Sequence, residues 1–233
     1  MRTLNAGALR SHKYAALLAL LLVSLAVKSF DARQGAEGIL SDACRTMLGV
    51  AMLVVVFERQ RERVAMAVII APAFAIAWWR HVSGENLDTA LSVALSTLIS
   101  LFNWAAVVVI LRDLFRKQAV GSENVLGAIC GYLIAGDAWA GVNEIAYLVV
   151  PAAYNINPGI SGLLDEWHGR HALFSYYGFA QMLTIGYADV TPVRAPATTL
   201  SLLGALFGVF YTAVVVSQFV HLAQSGKRSP DDR

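Results

Sequence analysis

Charge is thin in this sequence and cysteine is almost missing. Asp, Glu, Lys and Arg make up 15% of the 233 residues, and the only cysteines are Cys44 and Cys130. These two stand at opposite ends of two different apolar runs, so their depths argue against a disulfide. No redox or zinc spacing of Cys and His is present. Proline is rare as well, six in all, and Pro72 falls inside an apolar run, where it predicts a kink. The stretch 89–111 holds no Lys or Arg. A voltage sensor needs several there, because each elementary charge crossing the field contributes about 2.3 kcal/mol per 100 mV. Intrinsic voltage sensing is therefore not expected. No nucleophile, base and oxyanion donor converge, so an enzyme is not expected. The net charge of +2 gives no reason to expect nucleic acid as a partner. The polar stretch 225–233 is expected to be disordered and too short for a nucleotide-, calcium- or dinucleotide-binding regulatory domain.

What fills the chain instead is hydrocarbon. Apolar residues make up 57% of it, and the mean hydropathy is +0.58. Runs of about 20 apolar residues suit helices that cross a bilayer. Six are present, at 14–30, 39–57, 64–79, 89–111, 125–150 and 198–223. They predict an all-α membrane protein with six transmembrane helices. Basic residues orient it. Arg2, Arg10, Lys13, Arg59, Arg61, Arg63, Arg112, Arg116, Lys117, Lys227, Arg228 and Arg233 fall on one side. Lys28, Arg33, Arg80, Arg170 and Arg194 fall on the other. Twelve against five predicts cytoplasmic termini; the location expected for the chain is a bacterial plasma membrane. The basic start and short Leu-rich core of the first run also fit a signal peptide, whose removal would leave the other five in the same orientation.

Between the last two runs lies Thr184-Ile185-Gly186-Tyr187-Ala188-Asp189, with Pro192 after it. The stretch 173–183 before it reads LFSYYGFAQML, without proline or charge, which suits a short helix. The dipole at the C-terminal end of such a helix favours a cation. The combination resembles the two-helix pore module of the potassium channel superfamily, whose filter signature is T-V-G-Y-G-D with a proline three residues on. The resemblance covers about 125–223, and Ala188 departs from it, standing where the signature has its second glycine. It implies a pore helix and a re-entrant selectivity filter between the fifth and sixth spans. It also implies a homotetramer, because one loop cannot surround an ion. In it the backbone carbonyls of Thr184, Ile185, Gly186, Tyr187 and Ala188 would replace the hydration shell of K⁺. Asp189 would ring the outer mouth, and Tyr176 and Tyr177 would brace the filter, with Tyr187 packed on that aromatic cuff. Gly208 falls at the hinge of the inner helix. Val209, Thr212 and Val216 would line the cavity, with Val216 and Val220 at its narrow end. Gly204 and Gly208 also form a G-x-x-x-G pair, which fits helix packing equally well. A left-handed backbone at Ala188 would cost roughly 1–2 kcal/mol per copy, so strain or a relaxed outer filter is expected there. Ala180 stands where some channels carry a bracing glutamate.

The chain thus reads as a block of four helices in 1–117, a pore domain in 118–224 and the tail 225–233. Arg45, Asp137 and Glu144 are charged residues well inside apolar runs. Asp137 and Glu144 are seven apart on one face of the fifth. Glu144 shares its depth with Arg45 of the second, so an Arg45–Glu144 pair is expected, with Asp42 as a competing partner for Arg45. Asp137 has no cation at its depth, so a neutral, hydrogen-bonded carboxyl is expected, or a proton-sensitive gate. Ser92, Ser96, Ser100 and Asn103 form a polar stripe suited to close helix packing or to a water-lined path. Asp165, Glu166, His168 and His171 fit a solvated outer turret or a weak metal or proton site. The expected function is passive cation conduction, K⁺ above all, with no cofactor besides K⁺ in the filter, and with the bilayer and monovalent cations as partners. A non-selective cation channel and a non-conducting scaffold are the alternatives.

Overall fold

The computed structural model describes residues 13–34, 38–83, 87–116 and 122–225. Arg2, Arg10, Lys117 and the tail from 226 onward lie outside them, so the topology and tail expectations resting on those residues lie outside them too. The fold is almost wholly helical. Its elements are α1 (Lys13–Gln34), α2 (Ile39–Val55), α3 (Gln60–Ser83), α4 (Thr89–Arg116), α5 (Ser122–Val149), β1 (Tyr154–Ile156), a 3-10 segment (Pro158–Leu164), α6 (Trp167–Met182), β2 (Val190–Pro192) and α7 (Ala195–Ser225). Helix α3 runs through Pro72 without a break in its assignment.

Four of these helices, α3, α4, α5 and α7, are long and apolar enough to cross a membrane. The two others that the sequence reading counted as spans are weaker. Helix α2 has 17 residues, so at 1.5 Å per residue it is shorter than the roughly 30 Å hydrocarbon core. Helix α1 has 22 residues but carries Lys28, Asp31 and Arg33 in its second half. Polar contacts tie the helix ends together at one end of the bundle. Lys13 pairs with Glu58, the Tyr14 amide donates to Glu123 (3.2 Å), and Arg112 Nη1 donates to Glu62 (3.0 Å).

Helix α5 is the centre of the molecule. Its apolar window is 61% buried, against 22% for α7. The cause is small residues where neighbours cross. A Cβ on Gly141 would collide with Ser100 of α4, and one on Gly136 would collide with the Phe179 ring of α6. The serine stripe of α4 meets this surface. Ser92, Ser96, Ser100 and Asn103 are all buried, with Ser100 donating to the Ala138 carbonyl (3.2 Å) and Asn103 to Asp137 (3.1 Å). The stripe therefore packs helices together. Cys44 and Cys130 are both free.

Between α5 and α7 the chain leaves and returns to one place. Strands β1 and β2 pair antiparallel, Tyr154 opposite Pro192 and Ile156 opposite Val190. The Asn157 amide extends the clasp to the Asp189 carbonyl (2.9 Å). The intervening residues, α6 among them, are thus a closed excursion from the clasp.

Candidate functional site

The expected short helix begins six residues earlier than its apolar stretch, at Trp167 instead of Leu173. In the sequence His168 and His171 fit a solvated turret and Arg170 counts among the outer basic residues. All three are buried. Their charge and polarity are met inside the protein, and that lets the helix extend. Among the described residues, no group of three His, Cys, Asp or Glu is placed to hold a metal ion.

Two polar clusters hold this first half of α6. In one, Asp42 Oδ2 takes the Arg80 guanidinium at 2.8 Å, His81 at 2.9 Å and His168 at 3.1 Å. Gly38 makes room for it, with φ 68°, because a Cβ there would collide with the His168 ring. Arg45 lies over the Trp167 ring, 4.4 Å from guanidinium carbon to ring centre. In the other cluster, Glu144 is fully buried. It accepts from Arg170 Nε at 3.1 Å, and His171 Nδ1 lies 2.9 Å from its second oxygen. Arg170 also donates to Ser92 (3.0 Å).

The expected Arg45–Glu144 pair is therefore not made. Matching depth was the right criterion but an incomplete one. Helix rotation turns Arg45 onto Trp167 and leaves Glu144 to two residues of α6. The expectation that Asp137 lacks a cation is also corrected, since Lys28 pairs with it. Lys28 looked like the outer flank of a run ending at Phe30. Helix α1 continues to Gln34, so Lys28 sits inside it and is buried. Asp137 also accepts from Ser175 (3.2 Å), and His171 Nε2 stands 3.5 Å from it.

Behind the second half of α6 lies an uncharged network. Gln181 and Asn143 exchange a pair of side-chain hydrogen bonds, at 3.1 and 3.3 Å. Tyr154 donates to Asn143 (2.8 Å), and Gln181 donates to Ser201 of α7 (3.0 Å). Burial pushes the Tyr154 phenol above its ordinary pKa, so it stays a donor. This network stands one residue along from Ala180 and fixes the end of α6 without a carboxylate. Gly204 and Gly208 of α7 press on the same end. A Cβ on Gly208 would collide with the Met182 carbonyl, and one on Gly204 would stand 2.9 Å from Gln181 Oε1.

From Leu183 to Ala188 every residue is exposed in the single chain. Thr184 has φ 53° and Gly186 φ 74°, so left-handed backbone recurs two residues apart. A β-branched residue there is an outlier that its surroundings must enforce. The Thr184 amide is bonded to Gln181 and the Ile185 amide to Ala180, both at 3.0 Å. Ala188 is not in the left-handed region. The strain expected at that residue is absent, and the alternation of handedness stops at Gly186. Among the described residues, none donates to the carbonyl oxygens of 184–188. Tyr187 stacks on Tyr176, ring centres 5.7 Å apart and 16° from parallel, and Tyr176 donates to Asp189 (3.0 Å). Tyr177 instead faces α7, 2.7 Å from Ser201.

Helix α7 has two distinct faces. Gly204, Gly208, Tyr211 and Val215 are buried, and Tyr211 donates to the Ala128 carbonyl of α5 (2.7 Å). Val209, Thr212, Val216 and Val220 are exposed. No protein-family model matches this sequence, and no curated protein matches it.

Proposed function

We propose that this chain is one subunit of a homotetrameric cation channel with a preference for K⁺, its filter built by Thr184, Ile185, Gly186, Tyr187 and Ala188. The observation that carries the reading is the loop at the end of the buried helix α6. Its side chains are exposed in the single chain, its carbonyls accept from no donor among the described residues, and two of its residues have left-handed backbone. Water can meet these carbonyls in the exposed loop of the single chain, but once four loops close around an axis and exclude it the carbonyls need another partner. Four copies around an axis would give them a dehydrated cation. The C-terminal dipole of α6 would add to its attraction.

In this reading α1, α2, α3, α4, α5 and α7 are six spans with the termini cytoplasmic, and 157–189 re-enters from the outer side. Non-helical backbone at such depth needs protein around it or water to line, and the β1–β2 clasp, α5 and α7 supply the protein. Asp189 stands at the outer mouth. Gly208 bends the inner helix, and Val209, Thr212, Val216 and Val220 line the path below the filter. Ala188 favours a second form of the reading. With alternation ending at Gly186, an outer ion site is lost, and discrimination between K⁺ and Na⁺ is weaker than in a filter with two glycines.

Purified protein in liposomes under K⁺ or Na⁺ gradients tests this directly. Passive K⁺ flux exceeding Na⁺ flux is expected, from particles of tetrameric mass in mild detergent. A monomeric or dimeric mass, or no flux of either ion, would sink it. Open probability is expected to vary little with potential, since α4 holds no Lys or Arg before Arg112. Single-channel recording that reveals several gating charges would overturn that part.

A further inference from the structure

Among the described residues, the ammonium that pairs with Asp137 comes from α1, outside the pore domain that the sequence marks out. Lys28 is buried and its ammonium meets Asp137 Oδ1. That same oxygen accepts from Ser175 on α6 at 3.2 Å. The other oxygen accepts from Asn103 on α4 at 3.1 Å. His171 Nε2 approaches at 3.5 Å. One carboxylate therefore joins α1, α4 and α5 to the middle of α6.

A second feature places the same lysine beside the loop. An open cleft of about 200 Å³ is lined by Leu25 and Lys28 of α1, by Ser175 and Tyr176 of α6, and by Ile185 and Tyr187. Tyr187 stacks on Tyr176, the residue after Ser175. Lys28 thus touches the back of α6 through Asp137 and lines the space beside the loop that α6 carries. A buried pair contributes little net stability over an apolar substitute, whereas a carboxylate left without its cation is strongly unfavourable. Such a pair fixes geometry more than it adds stability.

We propose that Lys28 is a positioning residue for the filter, acting through Asp137 and Ser175 to hold α6 and the 184–188 loop in register. The inference rests on the proposed filter but reads out independently of conduction. The test is hydrogen–deuterium exchange on the full-length protein in detergent, for the parent, Lys28→Met, Asp137→Asn and the double variant. Exchange over 175–189 should rise at least tenfold in each single variant, while peptides from α3 stay as in the parent. The double variant should be no worse than the worse single, because both cut the same link. If Lys28→Met does not fold, the double variant, which leaves no lone charge, carries the test against the parent, and Lys28→Arg should restore protection. Unchanged exchange over 175–189, a rise shared by all helices, or additive effects would overturn the proposal. In a conducting protein, Lys28→Met should also lower the K⁺ over Na⁺ permeability ratio severalfold. Protection that depends on Lys28 in a protein without flux would leave the positioning role standing and remove the channel reading.

Discussion

The two halves of α6 are opposites. Its first half, from Trp167 to His171, carries an arginine and two histidines, and all are buried and answered by Asp42, Arg80, Glu144 and Ser92 from four other helices. Its second half is nearly free of charge, yet it ends in a loop whose side chains are exposed and whose carbonyls find no donor among the described residues. The polar half is the more nearly finished one. Apolar character marks where a helix is hidden from water, but completeness is judged by whether each polar group is met. By that measure the first half is a foundation, its charges paired although Trp167 Nε1 and His171 Nε2 have no hydrogen bond among the described residues, and the second ends in an exposed loop.

The largest expected effect comes from breaking the foundation. Arg170→Met leaves Glu144 buried with His171 alone, and removing one partner of a buried pair costs about 3–5 kcal/mol. Thermal unfolding in detergent should fall sharply. Arg170→Met with Glu144→Met should recover much of the loss. A single variant as stable as the parent would mean that the cluster is hydrated and the contrast false.

The joint between α6 and α7 gives a graded effect. Gly208→Ala drives a methyl into the Met182 backbone, and overpacking of this kind costs about 1–3 kcal/mol. Gly204→Ala meets only the tip of Gln181 and should cost less. Gly162→Ala meets nothing within 4 Å and should raise the melting temperature slightly, through a stiffer unfolded chain. Another order among the three would remove the close crossing from the account.

The smallest effect on stability, and the sharpest on selectivity, is expected at the unfinished end. Ala188 is unstrained, so Ala188→Gly should lower stability by about 0.4–1 kcal/mol through a freer unfolded chain. The same change permits left-handed backbone two residues past Gly186 and should raise K⁺ over Na⁺ selectivity, measured from reversal potentials. Higher stability together with unchanged selectivity would show that this residue has no part in the loop's geometry.

Much of the unfinished end was legible in the sequence, because it is local. The motif at 184–189, the apolar helix before it and the Tyr176–Tyr187 proximity all lie within a few turns of one another. The start of α6, the β1–β2 clasp and the partners of Asp137 and Glu144 were not legible. The clasp joins two strands of three residues, too short for alternation to register. Arg170 reads in the sequence only as an outer basic residue. A signal for it did exist, since it lies in a helical register with His171, Phe174 and Tyr177 that continues the apolar stretch upstream.

By itself the sequence determined a helical chain rich in apolar runs, six of them where four helices are long and apolar enough to cross a membrane, and the place of its most informative loop. Run length and composition settle these through the cost of exposing backbone and side chains to hydrocarbon or water. Only the tertiary structure decided that Lys28 meets Asp137, that Arg170 and His171 meet Glu144, and that Arg45 covers Trp167. Depth along a helix can be counted from residue numbers, but each residue added turns a side chain by 100°. Which buried charges meet is settled by how the helices rotate and cross, and the small residues of α5 and α7 govern that only once the chain has packed.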